Sequence, residues 1–151
     1  MSDFSRLQEF FSRDVSTRAT KPLKDNIEIA LHLDSLTPVC LTKTDGKLLL
    51  KESVAKSPDM SFWVSSAAIN QLCDFQTEDI GEIGIQIIKL MLTENTDIRL
   101  KVKVHIGSIA LFTHGYLGVL PLGGATVMKF LASKGFSNIG KIKDAISKVR
   151  G

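Results

Sequence analysis

The sequence is poor in the residue types that mark several common protein classes. It has two cysteines, Cys40 and Cys73, each in an apolar stretch and neither at the spacing of a zinc site. A disulfide framework is therefore not expected. Dense basic runs are also absent, since 19 lysines and arginines face 16 acidic residues and leave a net charge of +3. This balance does not indicate a nucleic-acid binder.

The N-terminal residues lack the continuous apolar core of a signal peptide, because Asp3, Arg6, Glu9 and Arg13 interrupt them. We therefore expect a cytoplasmic protein. The 151 residues, 44% hydrophobic and 23% charged, fit a single globular domain that is large enough to hold a ligand cavity. We divide this domain into an N-terminal helix with a connector (1–25), a core (26–134) and a C-terminal basic amphipathic helix (135–151).

The segment from Gly107 to Met128 contains no Asp, Glu, Lys or Arg, and about twenty such residues can span a bilayer. Five glycines, Pro121 and His114 interrupt it, however, and the residues before it alternate with a period of two. A buried strand over Ile109 to Leu120 is therefore the preferred interpretation, with a membrane span as the alternative.

The first half of the chain shows strand and turn patterns. After an amphipathic helix from Phe4 to Val15, branched residues alternate with polar ones from Ile27 to Asp34, which predicts a half-buried strand. Val39–Thr42 and Leu48–Leu50 flank Asp45-Gly46, so they should pair as a hairpin. Met60–Val64 predicts a fourth strand.

The residues after this strand have apolar side chains at helical spacing. Ser65 or Ser66 can cap a helix ending near Phe75, and Asp79 with Glu82 has the capping-box spacing for a helix through Leu92 that is apolar nearly all round. A further strand is predicted from Asp97 to Ile106, with a solvated basic face of Arg99, Lys101 and Lys103. No aromatic residue interleaves with these cations along the strand, so nucleic-acid binding is not expected.

The last elements are two helices. Gly123-Gly124 introduces the first, and Gly135 can end it. The second has an apolar seam of Ile139, Ile142, Ile146 and Val149 among lysines. This tail either docks on the domain or contacts an anionic membrane transiently.

Two motifs, Pro58-Asp59-Met60-Ser61-Phe62-Trp63-Val64-Ser65 and Leu100-Lys101-Val102-Lys103-Val104, resemble the sterol carrier protein 2 domain over about Ile27 to Leu131. The charge-free stretch Gly107–Leu122 departs from the family, and so does the Lys-Val-Arg-Gly end, which lacks the peroxisomal Ser-Lys-Leu tail. The resemblance implies an α+β fold. An antiparallel or mixed sheet of five or more strands would carry helices on one face and enclose an apolar tunnel for fatty acyl chains or sterols.

The candidate lipid-lining residues are the large apolar side chains of the later elements. Methionine and phenylalanine fill cores as well as pockets, so a solid core is the alternative to a tunnel. Gly123 and Gly124 could present free N–H groups to an anionic head group, or simply form a tight turn. The predicted lining comprises Phe62, Phe75, Ile83, Ile87, Leu90, Met91, Phe112, Tyr116, Met128, Phe130 and Leu131.

No catalytic, metal or cofactor site is predicted. His32, His105 and His114 lack ligand spacing, and neither cysteine lies in a nucleophile elbow. We therefore expect a non-catalytic lipid carrier or presenting module. The alternative is a protein interaction or homodimerisation domain that uses Ile80–Leu92 or Gly107–Leu122, and a small enzyme is a third option without a coherent set of residues.

Overall fold

The computed structural model describes residues 2–93, 95, 97–133 and 135. The C-terminal amphipathic helix predicted around Ile139 to Val149 lies outside these residues, so its docking and its membrane contact stay predictions. Within the described part, the predicted strands up to Val104 and the two predicted helices between Ser65 and Leu92 are present, with shifts of a few residues at their ends.

Five strands form one mixed sheet in the order β3-β2-β1-β4-β5, in which β1 and β4 are parallel and the other neighbours antiparallel. The predicted hairpin is confirmed, because Asp45 and Gly46 between β2 and β3 both have positive φ. The strands are β1 (Glu28–Leu33), β2 (Pro38–Thr44), β3 (Lys47–Lys51), β4 (Met60–Val64) and β5 (Leu100–Val104).

The helices cover one face of this sheet, as predicted for an α+β fold. Side chains on that inner face, such as Leu31, Leu41 and Val64, share one buried cluster with Leu7 and Ile69 from the helices. The helices are α1 (Asp3–Ser12), α2 (Asp14–Ala19), α3 (Ser66–Asp74), α4 (Ile80–Leu92), α5 (Ser108–Thr113) and α6 (Gly124–Ser133).

The N-terminal segment is two helices, so the prediction of a single helix is wrong. The chain bends at Arg13, whose backbone is extended. The Arg13 guanidinium donates to the carbonyls of Cys73 at 2.7 Å and Phe75 at 3.3 Å, at the end of α3. Because the Arg13 guanidinium satisfies the terminal carbonyls of α3, tertiary contacts fix the bend. The bend places Val15 in the core.

The predicted strand over Ile109 to Leu120 is also wrong. The segment forms α5 and two 3₁₀ turns, Tyr116–Gly118 and Leu120–Gly123. Gly115 separates them at a φ of 92°, and a side chain there would collide with the carbonyl of Pro22. Extended pairing cannot continue through this position, and the short apolar run Ile109–Phe112 fits a helix as well as a strand.

No single helix within the described ranges has both the length and the hydropathy to cross a bilayer. Tyr116–Gly123 and Thr126–Ser133 meet these criteria only when taken together, and they are bent by 100° relative to each other.

The nearly all-apolar α4 is explained by neighbours on two sides. Ile83 and Leu90 are buried in the main core on the sheet side. Ile85 and Ile88 pack against a second cluster formed by Val127 and its neighbours on α6. Helix α4 is therefore sandwiched, which accounts for an apolar surface wider than one stripe.

Candidate functional site

The candidate site is a pocket of about 350 Å³ between the C-terminal end of α4 and the start of β5. This volume lies within the range of about 300–1,000 Å³ that is usual for small-molecule sites. Its lining combines apolar side chains from both elements with polar and basic ones. The lining residues are Leu90, Met91, Thr93, Asn95, Ile98, Arg99, Leu100 and Lys101.

Ser65, the last residue of the first resemblance motif, holds one wall of the pocket in place. Its hydroxyl accepts the backbone N–H of Arg99 at 2.8 Å and that of Ala68 at 3.2 Å, and its own N–H donates to the Arg99 carbonyl at 2.8 Å. One buried serine therefore caps α3, as predicted, and also fixes the chain that enters β5.

The inner face of the sheet is incompletely covered next to this pocket. Phe62 and Val102 are opposite each other on β4 and β5 and point to the helix side, yet both are only partly buried. The next inner-face pairs along the same strands, such as Val64 with Leu100, are buried. This partly accessible apolar pair lies on the β4–β5 edge beside Leu100, which lines the pocket, and we call the pocket between α4 and this edge the cleft.

Several predicted lining residues lie at or near this cleft. Leu90 and Met91 line the pocket itself, and Met91 is 41% exposed. The remainder share the main apolar cluster with Phe62: they are Phe75, Ile83, Ile87 and Tyr116.

Three other predicted residues are brought together elsewhere. Met128 and Leu131 belong to the second cluster, which packs on Ile85 and Ile88 of α4. Phe130 lies 5.9 Å from the ammonium of Lys89, on the same two helices. Because α4 stands between this cluster and the sheet, these residues do not share a pocket with Phe62.

The prediction that Phe112 lines an internal site is wrong, because its side chain is 71% exposed on α5. Gly123 and Gly124 do not line the pocket either. The carbonyl of Gly123 lies against Gly81 of α4, and the N–H of Gly124 donates to the Pro121 carbonyl. These groups pack the second 3₁₀ turn against α4, which agrees with the tight-turn alternative.

The basic part of the pocket lining is not predicted by the sequence pattern. Arg99 and Lys101 belong to the predicted solvated face of the basic strand, and both line the pocket. Arg99 is also 3.4 Å from the carboxylate of Asp34. The available signal was the short connection from α4 to β5, which forces the end of the helix to lie beside the start of the strand.

A buried polar cluster lies around Asp59 of the first motif. Its carboxylate accepts the Tyr116 hydroxyl at 2.8 Å and is 2.7 Å from Nδ1 of His114. Burial, and then the bond to Asp59 and its negative charge, raise the pKa of Tyr116. This cluster joins the segment after α5 to the start of β4, and it lies away from the residues that line the pocket.

The remaining titratable candidates show no arrangement for metal chemistry among the residues described: no three His, Cys, Asp or Glu side chains come together. His105 bonds Ser61 at 2.8 Å. Burial raises the pKa of the Cys40 and Cys73 thiols, so neither is activated as a thiolate.

The outer face of the sheet carries an aromatic contact beside the basic strand. The rings of His32 and Trp63 stack at 4.7 Å with planes 13° apart, and Trp63 pairs with Lys101 across β4 and β5. No aromatic residue lies among the cations along β5, as expected, and the aromatic neighbour of Lys101 comes from the adjacent strand β4.

Comparison with protein-family models finds none that matches this sequence, and no curated protein matches it. A solved structure described as "UbiJ-SCP2 Ubiquinone synthesis protein" is similar to it, with a TM-score of 0.45 and 15% sequence identity. The similarity covers 79% of this chain and 90% of that chain.

Proposed function

We propose that this protein binds a lipid with a long apolar tail in the cleft between α4 and the β4–β5 edge, without covalent chemistry. The observation that carries the proposal is the incomplete burial of Phe62 and Val102 on the helix-covered face of the sheet. Apolar side chains on an inner face normally pack against helices, because removing them from water is the main stabilising term in folding.

A bound acyl chain would supply the missing cover. It would remove the accessible parts of Phe62, Val102 and Ile87 from water at about 25 cal/mol for each Å² of apolar surface. Ile87, one turn before Leu90 and Met91 on α4, is partly buried in the same cluster as Phe62 and Val102. The proposed path of the tail runs from the pocket along α4 past Ile87.

The charges in the pocket lining favour an anionic head group. Arg99 and Lys101 are the two charged residues among those that line the pocket, and both are cationic. The guanidinium can bind a carboxylate or a phosphate through two N–H groups, which the Asp34 contact at 3.4 Å leaves partly available. Fatty acids are therefore the first ligands to test.

The test is a titration with a fluorescent fatty-acid analogue, using variants at adjacent positions of α4. Met91 lines the pocket, whereas Leu92, 49% exposed, does not. Met91→Asp should weaken binding by tenfold or more, about 1.4 kcal/mol, because an unpaired carboxylate would be desolvated next to the tail. Leu92→Asp should bind like the unaltered protein.

Head-group recognition has its own control pair. Arg99→Ala should weaken binding of the fatty acid more than binding of the matching uncharged alcohol, while Lys103→Ala, on the same strand but outside the pocket, should change neither. Absence of saturable binding across acyl, sterol and isoprenoid ligands would reject the proposal. Equal effects of Met91→Asp and Leu92→Asp would reject this cleft as the site.

A further inference from the structure

An exposed apolar pair on α5 is not explained by ligand binding. Ile109 is 82% exposed and Phe112 71%, and three-residue spacing puts them on the same side of the helix. Leu111, between them in sequence, is buried in the main core. The core therefore fixes which face of α5 points outward, and this face presents two large apolar side chains to solvent.

The C-terminal end of α5 is anchored to the connector and to the start of β4. The carbonyl of His114, the residue after the helix, accepts the backbone N–H of Lys24 at 2.9 Å, and the His114 ring bonds Asp59. Gly115 at positive φ lets the chain press against Pro22, where any side chain would collide. The exposed pair thus belongs to an anchored element.

The electrostatic surroundings suit an anionic surface. From Gly107 to Met128 the sequence has no acidic side chain to repel one. Lys21 and Lys24 are exposed on the connector whose Lys24 N–H bonds the His114 carbonyl, while the nearby Asp59 is buried and paired. The connector also carries one exposed carboxylate, Asp25, which accepts the N–H of Gly46. Two lysines against one carboxylate leave a small positive excess on the segment bonded to the end of α5.

We infer that α5 docks the protein on the interface of a bilayer that carries anionic lipids, with Ile109 and Phe112 inserted and Lys24 near the head groups. Two side chains are too few for a stable protein interface, which buries about 1,200 Å² or more. They suffice for reversible membrane contact when basic residues add electrostatic attraction. This inference goes beyond ligand binding in the cleft and does not depend on it.

The test is flotation of the full chain with phosphatidylcholine vesicles that contain graded fractions of phosphatidylserine. We expect flotation that grows with the phosphatidylserine fraction and falls with added salt. Ile109→Asp with Phe112→Asp should lower the bound fraction about tenfold, because two large apolar side chains no longer leave water. Val54→Asp is the control, since Val54 is 72% exposed but lies in another loop.

Charge and location are tested separately. Lys24→Glu should weaken binding only to the anionic vesicles. Lys51→Glu should not, because Lys51 is exposed at the far end of β3 from the contact between Gly46 and Asp25. In a Trp63→Phe background, Phe112→Trp should show a blue-shifted emission with vesicles and quenching by brominated lipid. Thermal melts confirm that each variant is folded.

Three outcomes would overturn the inference. The first is that the unaltered protein fails to float at low salt. The second is that the double variant floats as well as the Val54→Asp control, which would assign the contact to another part of the chain. The third is that light scattering shows a dimer for the unaltered protein and a monomer for the double variant, which would make a second copy the occupant of this face.

Discussion

The hydroxyl of Tyr116 donates a hydrogen bond of 2.8 Å to the carboxylate of Asp59, and this bond connects the first 3₁₀ turn to the residue before β4. Both partners are largely buried, and His114 bonds the same carboxylate oxygen. A residue of the first sequence motif thereby anchors the segment that contains α5.

This bond predicts a specific loss of stability at alkaline pH. The pKa of Tyr116 is raised in the folded protein, so the folded chain keeps this proton when the unfolded chain loses it above about pH 10. Stability from Tyr116 is therefore complete below pH 10 and declines above it, by at most about 1.36 kcal/mol per pH unit.

The measurement is direct, because Tyr116 is the one tyrosine in the chain. Tyrosinate absorbance should appear only as the protein unfolds, and Tyr116→Phe should lose about 1 kcal/mol at neutral pH and show a flatter decline above pH 10. A reversible titration of the native protein near pH 10 would contradict the buried bond.

Lys43 makes a second buried contact whose loss should be costly. Its ammonium donates to the carbonyls of Thr20, Lys21 and Leu23 at 2.7–3.0 Å, just after α2. Lys43→Met keeps the apolar stem but leaves these acceptors without a donor, so we expect a loss of about 3 kcal/mol in urea unfolding. Lys47→Met, exposed on β3, should stay within about 0.5 kcal/mol. Equal stability of the two variants would show that the buried contacts of Lys43 do not stabilise the fold.

Leu36 offers a stabilising substitution. It has a φ of 64° in the turn after β1 and is 89% exposed, so its side chain contributes strain without burial. Leu36→Gly should raise stability by about 0.5–1 kcal/mol, whereas Val54→Gly, exposed but without positive φ, should not. A lower melting temperature for Leu36→Gly would show that the turn is not strained.

The single tryptophan reports on the outer face of the sheet. Because the His32 ring already covers one face of Trp63, we expect no base stacking there and no salt-sensitive change in fluorescence with single-stranded oligonucleotides. His32→Ala should raise acrylamide quenching of Trp63 by uncovering the ring. Salt-sensitive quenching of the unaltered protein by oligonucleotides would instead indicate a nucleic-acid surface.

Features set by nearby residues were predictable from the sequence. The hairpin follows from positive φ at Asp45-Gly46, and the start of α3 follows from the Ser65 hydroxyl. At α4, Asp79 does cap the first turn, accepting the N–H groups of Gly81 and Glu82. Glu82 itself accepts the Thr77 hydroxyl and not the Asp79 N–H, so the predicted capping box is only half formed.

Features set by distant contacts were not predictable. The bend at Arg13 depends on the carbonyls that end α3, and the burial of Lys43 depends on the connector after α2. The separation of the predicted lining residues into two clusters was not predictable for the same reason. Periodicity placed Met128 and Phe62 together as apolar residues, but only the packing of α6 on the far side of α4 shows that they are separated.

The most direct test of the proposed site compares two methionine methyl groups in one NMR titration. Met91 lines the pocket, and Met128 lies in the separate cluster on α6. With methyl-labelled methionine and palmitate as the ligand, the Met91 signal should shift and saturate together with the binding isotherm, while the Met128 signal should stay in place. A saturable shift of Met128 without one at Met91 would contradict a lipid site between α4 and the β4–β5 edge.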